Sequence, residues 1–321
     1  MRSVVTLILS CLLAACQALP SRSGSASAAG DALTRLDAAL AGDWDNHEQA
    51  MQASAIAVPR VREGLRLAQQ GREGSAWLWR LQSTAADKTA SHALWLLRAT
   101  AADNGNRVTL TPYRALDPAA AGDMFDGKRK FAFDAAQWAE LAPCAQSGEW
   151  KNSRFEAQAS ASACSALLPG LGESAALLPL RLVLDGDMLR TVTFADQARG
   201  TDAAIAARRV RWFDGWAAIN GGGPKARAGN QDWHLQKDLH LSSEGGRAEL
   251  RWRDGAASGW SLQLERKTYA ERKLDVLQLN VIDDASGAII DYAWSNPQAT
   301  AIGFNLGWLQ VGLTEQAKPQ P

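Results

Sequence analysis

The feature that most constrains the fold is a succession of short segments in which apolar and polar residues alternate, with turn residues between the segments. Leu250 and Trp252 alternate in this way, as do Leu277, Leu279 and Val281. A period of two places successive side chains on opposite faces of a strand, so one face of each segment can be buried. Short connections between such segments favour antiparallel neighbours. The chain is therefore predicted to be mainly β.

Helical spacing is confined to the start of the chain's first half. Apolar residues within residues 31–51 share one helical face, with Gly42 as a break between two short helices. The other elements predicted for this half are strands at residues 75–83, 92–101, 107–116, 180–184, 188–194 and 208–219, hairpin turns at residues 103–106 and 185–187, and a short helix at residues 134–141.

A glycine-rich segment divides the chain. Residues 220–224 read Asn-Gly-Gly-Gly-Pro, and neither a Lys-Ser/Thr pair nor a helix follows, so a linker is favoured over a phosphate-binding loop. Beyond it, strands are predicted at residues 233–241, 247–253, 260–267, 274–282, 288–294 and 302–313. The expected organisation is a β domain at residues 31–219, the linker, an antiparallel β module at residues 225–315 and a frayed tail at residues 316–321.

The N-terminus has the pattern of a bacterial lipoprotein signal. Arg2 precedes an apolar run at residues 4–13, and Leu13-Ala14-Ala15-Cys16 follows. The run is about ten residues, whereas a helix needs roughly 20 to span a bilayer, so a cleaved signal at residues 1–15 is favoured over a transmembrane anchor. Cys16 is then predicted to be lipidated. The alternative, an ordinary secretory peptide, would leave Cys16 as an exposed free thiol.

The predicted lipid anchor makes a membrane the first expected partner. Gln17, rather than Asp, follows Cys16, which favours the periplasmic side of the outer membrane of a Gram-negative bacterium. Residues 16–30 are rich in Pro, Ser, Gly and Ala and are predicted to be a flexible tether.

Overall charge excludes one class of partner. The chain has 34 basic and 34 acidic residues and no basic block, so nothing attracts nucleic acid. Tryptophan is unusually frequent, with 13 residues against 7 Phe and 3 Tyr. In strands such residues form a core or a pocket wall, and each indole N–H needs a partner.

Two cysteines remain after Cys11 leaves with the signal and Cys16 is lipidated. Cys144 and Cys164 are expected to form a structural disulfide because the chain is exported. The bridge would close a loop of about 20 residues, worth roughly 3 kcal/mol on the chain-entropy model. A catalytic or metal-binding pair is less favoured, since no His is near either cysteine and their spacing matches no zinc pattern.

No constellation of residues predicts catalysis or a metal site. Of four histidines, His234 and His240 are six residues apart, too distant along a strand to share a metal. No nucleophile elbow occurs. The acidic pairs Asp43/Asp45 and Asp185/Asp187 flank a helix start and a turn, so structural roles are favoured over acid–base roles. No catalytic residue is assigned.

Four short motifs, in order, resemble those of one known family. They are Leu40-Ala41-Gly42-Asp43-Trp44-Asp45-Asn46-His47-Glu48-Gln49-Ala50, then Trp77-Leu78-Trp79, then Pro112-Tyr113-Arg114, and finally Cys144, Trp150, Phe155 and Cys164. Together they are similar to the CpcT/CpeT family of chromophore lyases over residues 31–215.

The resemblance implies a lipocalin-like antiparallel β-barrel with short N-terminal helices, fused here to a second β module. It implies that the barrel binds an open-chain tetrapyrrole, a bilin, and transfers it to a cysteine of a phycobiliprotein. Arg114 would hold a propionate. The other ligand-binding residues would be Asn46, Gln49 and Tyr113 at the barrel mouth, with Trp77 and Trp79 in the tryptophan-lined interior.

The functional expectation is a lipoprotein of this family that binds a tetrapyrrole-like or other apolar ligand in its barrel. Lyase activity rests on the resemblance alone, and no cofactor is required. The alternative is a non-catalytic envelope lipoprotein that binds lipid or a protein partner.

Overall fold

The computed structural model describes residues 24–52, 58–71, 74–84, 90–102, 106–194, 204–226, 229 and 231–317. The predicted signal, Cys16, the first part of the tether, most of the turn at 103–106 and the last four residues of the tail lie outside these residues. Within them the protein is mainly β, as predicted.

The first half contains eleven strands and four α-helices in its described part. In chain order they are α1 (Gly24–Leu40), β1 (Gly42–Asp45), α2 (His47–Met51), β2 (Arg60–Gly71), β3 (Gly74–Thr84), β4 (Ala90–Ala101), β5 (Arg107–Ala115), α3 (Pro118–Phe125), β6 (Trp138–Glu140), β7 (Gln146–Lys151), β8 (Arg154–Ala159), α4 (Ala161–Ser165), β9 (Pro179–Asp185), β10 (Met188–Thr193) and β11 (Ile205–Arg209).

Ten of these strands close an antiparallel barrel. They pair in the order β1, β2, β3, β4, β5, β7, β8, β9, β10 and β11, and β11 pairs back to β1. β6 pairs only with β5, outside this ring. The predicted antiparallel barrel is thus confirmed.

Helix α1 seals one end of the barrel. Its apolar side chains Leu33, Leu36 and Leu40 belong to the barrel core. Arg209 donates to the carbonyl oxygens of Ala39 and Ala41, at the C-terminus of the helix. A cation there satisfies unpaired carbonyl groups and complements the helix dipole. The helix begins at Gly24, so residues 24–30 are helical rather than part of a flexible tether.

The second half is a β-sandwich. Its strands are β12 (Trp212–Asn220), β13 (Trp233–Ser242), β14 (Glu244–Arg251), β15 (Ala257–Tyr269), β16 (Leu274–Asp283), β17 (Ile289–Ser295), β18 (Ala301–Asn305) and β19 (Leu309–Glu315). One antiparallel sheet has the order β13-β12-β19-β18 and the other β14-β15-β16-β17. Buried residues from both sheets form one core, so the sheets pack face to face.

The boundary between the barrel and the sandwich lies before residues 220–224. β12 pairs with β13 and β19 along its whole length, which makes it part of the sandwich. The predicted single strand at residues 208–219 is therefore two strands in different modules. Val210 donates to the carbonyl of Asp43 in β1, and the chain crosses between the modules there.

Two further predictions of secondary structure are wrong. Residues 134–141 form no helix. Asp134 accepts from Ala136 N in a turn, and Trp138 of β6 then pairs with Ala115 of β5. Burial of Trp138 against the outer face of the barrel overrides the local helix signal. The predicted strand at residues 302–313 is a hairpin, since Gly307 turns the chain at a φ of 82°.

Candidate functional site

The predicted ligand-binding tryptophans lie inside the barrel. Trp77 and Trp79 are on the inward face of β3, and Trp95 of β4 is directly opposite Trp79. All three indoles are at most 1% exposed. They are packed core residues in this structure, because close packing leaves no surface for a ligand to contact.

A buried carboxyl group lies among these indoles. Glu63 of β2 accepts from Trp79 Nε1 at 3.0 Å and from Thr191 Oγ1 at 3.1 Å. Burial raises the pKa of Glu63 to about 7, against the opposing effect of the two hydrogen bonds. Glu63 was not among the predicted site residues.

The barrel-mouth residues Asn46 and Gln49 are engaged in structural hydrogen bonds. The side chain of Asn46 accepts from Val61 N at 2.6 Å and donates to Pro59 O at 3.0 Å. Gln49 donates to Ala204 O and accepts from Ala206 N. Both amides thus tie the start of β2 and of β11 to helix α2, and the structure gives them this bracing role rather than a ligand contact.

Tyr113 and Arg114 lie on different faces of β5. Tyr113 is buried on the outer face of the barrel, edge-on to Phe133 with ring centroids 5.6 Å apart. Arg114 is opposite Trp95 in register and is exposed. Of the six predicted ligand residues, the structure therefore brings Trp77 and Trp79 together in the core and separates Tyr113 from them.

Several buried polar atoms of the barrel domain make no hydrogen bond to a described residue, and two of them are indole nitrogens in its core. The indole Nε1 atoms of Trp77 and Trp95 are buried and make no hydrogen bond to a described residue. An unpaired buried donor destabilises a protein by about 1–3 kcal/mol. These two atoms are the observation that favours a polar guest in the barrel interior.

The most exposed aromatic surface is on the sandwich, at a site that the sequence analysis did not assign. Tyr292 and Trp294 are 55% and 61% exposed on strand β17. They border a groove of about 600 Å³, which we call the aromatic groove and whose lining residues are Thr268, Tyr269, Ala270, Glu271, Arg272, Leu274, Val276, Tyr292 and Trp294. These residues belong to β15, β16, β17 and the connection between β15 and β16.

Edge position explains why these rings are exposed. In the described part of the chain, β17 pairs with β16 alone. Residues 288–294 were predicted as a strand, but alternation alone does not distinguish a buried face from an exposed one. The signal available in the sequence was the pair Tyr292 and Trp294, two aromatic residues on one side of a short strand.

Among the described residues, no three His, Cys, Asp or Glu side chains gather as metal ligands. No helix in the described part has both the length and the apolar character that a membrane span requires. No protein-family model and no curated protein matches this chain.

Proposed function

We propose that this chain is a lipid-anchored binding protein of the bacterial envelope that catalyses no reaction, and that its binding surface is the aromatic groove. In this proposal Cys16 carries the anchor on the periplasmic side of the outer membrane. The barrel is the support that presents the groove.

One observation carries the proposal. Tyr292 and Trp294 are more than half exposed beside a groove of about 600 Å³, although every tryptophan inside the barrel is buried. Burial of large aromatic side chains away from water is favourable. An exposed pair on a strand therefore favours a binding surface. Tyr and Trp are also the residues that most often dominate binding energy.

The barrel supports binding less well. Its interior is filled by Trp44, Trp77, Trp79, Trp95 and Phe155, which are all fully buried. Bilin transfer, which the resemblance implies, also needs an acceptor, and phycobiliproteins are cytoplasmic. An exported protein would not meet that acceptor.

A tetrapyrrole-like ligand inside the barrel is a second candidate, favoured by the unpartnered indole N–H groups of Trp77 and Trp95. Core side chains would have to move to admit it. Arg114, next to Trp95 across the sheet, would pair with a propionate. An absorbance titration with biliverdin tests this. A saturable shift that weakens in Arg114→Ala but not in Arg107→Ala would support the barrel site.

The groove is tested by co-sedimentation. Mature chain with Cys16→Ser is mixed with isolated outer membranes and, separately, with peptidoglycan sacculi. We expect it to sediment with one of these fractions, and Trp294→Ala to reduce that fraction. Trp216→Ala is the matched control, because Trp216 is an exposed tryptophan on the other sheet. Equal sedimentation of all three proteins would exclude the groove.

The anchor has its own test. Cells that express the full chain are grown with radiolabelled palmitate. We expect label on the wild-type chain in the outer-membrane fraction, and no label on Cys16→Ser. Label in the inner-membrane fraction would refute the sorting prediction based on Gln17.

A further inference from the structure

We propose that the aromatic groove binds a glycan chain, with sugar rings stacked on Tyr292 and Trp294. This inference rests on the proposed function and names the class of ligand for the same site. Three features favour it: the position of the two rings on one strand face, the hydrogen-bonded side chains beside them, and the polar groups at the rim.

The two rings lie on one face of a single strand. Tyr292 and Trp294 are two residues apart on β17, so both lie on the outer face, opposite Asn280 and Gln278 of β16. Two residues along a strand span about 6.7 Å. A pyranose ring presents an apolar face of C–H groups, and successive rings of a chain can stack on successive aromatic side chains.

The strands beside the aromatic pair carry a row of hydrogen-bonded side chains. Tyr269 donates from its hydroxyl to Gln278 Oε1 at 2.7 Å, and Gln278 donates to Asn280 Oδ1 at 2.6 Å. Asn280 then donates to Glu265 Oε1 at 2.9 Å. Gln278 and Asn280 are buried, and they are the cross-strand neighbours of Trp294 and Tyr292 on the same face of the sheet. Because this row is hydrogen-bonded before any ligand arrives, little ordering is needed on binding.

Polar groups of both kinds lie at the rim. Glu271 and Arg272 are exposed side chains that line the groove. A carboxylate only accepts hydrogen bonds and a guanidinium only donates them. Sugar hydroxyls donate and accept, so one neutral glycan can satisfy both residues.

Other occupants match these groups less well. A lipid chain has no hydrogen-bonding group for Glu271 or Arg272, and it would stay half exposed in an open groove. A polyproline segment binds aromatic grooves, but its prolines have no N–H to donate to Glu271. The amphipathic chemistry of the groove therefore favours a glycan.

Calorimetric titration of mature Cys16→Ser chain tests the inference. The probes are chitotetraose, which has N-acetyl groups, and cellotetraose, which does not. We expect saturable binding of at least one of them. Trp294→Ala should weaken it on the order of 10-fold or more, whereas Trp294→Phe should retain most of it. Trp216→Ala should bind like wild type, and circular dichroism confirms that each variant is folded.

Two further probes separate the possible failures. A proline-rich peptide or phosphatidylethanolamine vesicles that bind in place of both glycans would overturn the glycan class and leave the groove as the binding surface. Glu271→Ala should also weaken glycan binding, and an unchanged affinity would contradict the proposed hydroxyl contact. If Trp294→Ala changes neither glycan binding nor co-sedimentation with outer membranes or sacculi, the proposed function fails together with this inference.

Discussion

Arg266 donates from Nε to Glu244 Oε1 at 2.5 Å, and the two side chains are 8% and 0% exposed. The pair belongs to the sandwich but lies against the barrel. Arg266 also donates to Arg209 O at 2.9 Å, and Arg60 of β2 donates to Glu244 O at 2.6 Å. Burial raises the pKa of Glu244, against the attraction of Arg266. The two modules are therefore joined around a buried ion pair.

Arg266→Met should destabilise the protein by about 3–5 kcal/mol, because it leaves the carboxylate of Glu244 buried without its partner. The double variant Glu244→Gln/Arg266→Met should recover part of that loss. Urea denaturation followed by Trp fluorescence measures both. Arg247→Met is the control, since Arg247 forms an exposed ion pair in the same sheet. Equal destabilisation by Arg266→Met and Arg247→Met would contradict the role given to the buried pair.

Glu63 should make stability fall as pH rises. Folding raises the pKa of Glu63 from 4.5 to about 7, so the folded protein holds this proton more tightly than the unfolded chain does. The stability from the protonated form is complete below pH 4.5 and is lost as pH rises through 7. Above pH 7 the ionised group destabilises the fold by about 3 kcal/mol.

Glu63→Gln removes this titration from the barrel core. The variant should match wild type near pH 5 and be more stable near pH 8, as measured by urea denaturation across that range. Glu140→Gln, at an exposed position, should leave the pH profile unchanged. A constant difference between Glu63→Gln and wild type from pH 5 to pH 8 would show that Glu63 does not titrate in this window.

The same residue shows why part of the fold was not predictable. β3 and β4 were predicted from alternating apolar residues, and their inward faces are indeed apolar. β2 was missed, because Glu63 occupies an inward position between Val61 and Leu65 and interrupts the alternation. The acid is tolerated there only because Trp79 and Thr191, distant in sequence, donate to it. Local patterning does not contain that information.

The candidate site was less predictable than the fold. Asn46 and Gln49 were predicted as ligand-binding residues at the barrel mouth, but their partners are backbone groups of β2 and β11 that only the closed barrel brings near. Trp294 was part of a predicted strand. Its exposure follows from the order of strands in the sheet, which leaves β17 at an edge, and this order is a tertiary property.

The disulfide prediction concerns stability. Cys144 and Cys164 are bonded in the structure, as predicted, and the bridge joins two segments 20 residues apart. Cys144→Ser/Cys164→Ser should lower the free energy of unfolding by about 3 kcal/mol, because the unfolded chain regains the entropy of an open loop. Chemical denaturation measures the loss. Reduction of the wild type with dithiothreitol should reproduce it, and an identical midpoint for wild type and variant would contradict a stabilising role.

Glu265 should support the contact between the modules in a pH-dependent way. It accepts from His47 Nε2 of helix α2 at 3.1 Å. Burial works to raise the pKa of Glu265, but hydrogen bonds from His47 and Asn280 outweigh it and leave the pKa below its ordinary value of 4.5. The stability from ionised Glu265 is therefore present above pH 4.5 and is lost as pH falls through the lowered pKa.

Glu265→Gln should be less stable than wild type at pH 7, and the difference should shrink below pH 4.5 as wild type becomes protonated. Thermal unfolding from pH 3 to pH 7 measures this. Glu249→Gln is the control, because Glu249 pairs with Arg251 on the exposed side of the neighbouring strand β14. Gly245→Ala should loosen the same contact at every pH. Its Cβ would lie 2.4 Å from the ring of His47, at a backbone φ of +73° that disfavours alanine. A Glu265→Gln difference that persists at pH 3 would mean that His47 and Glu265 stabilise the junction by packing and not by charge.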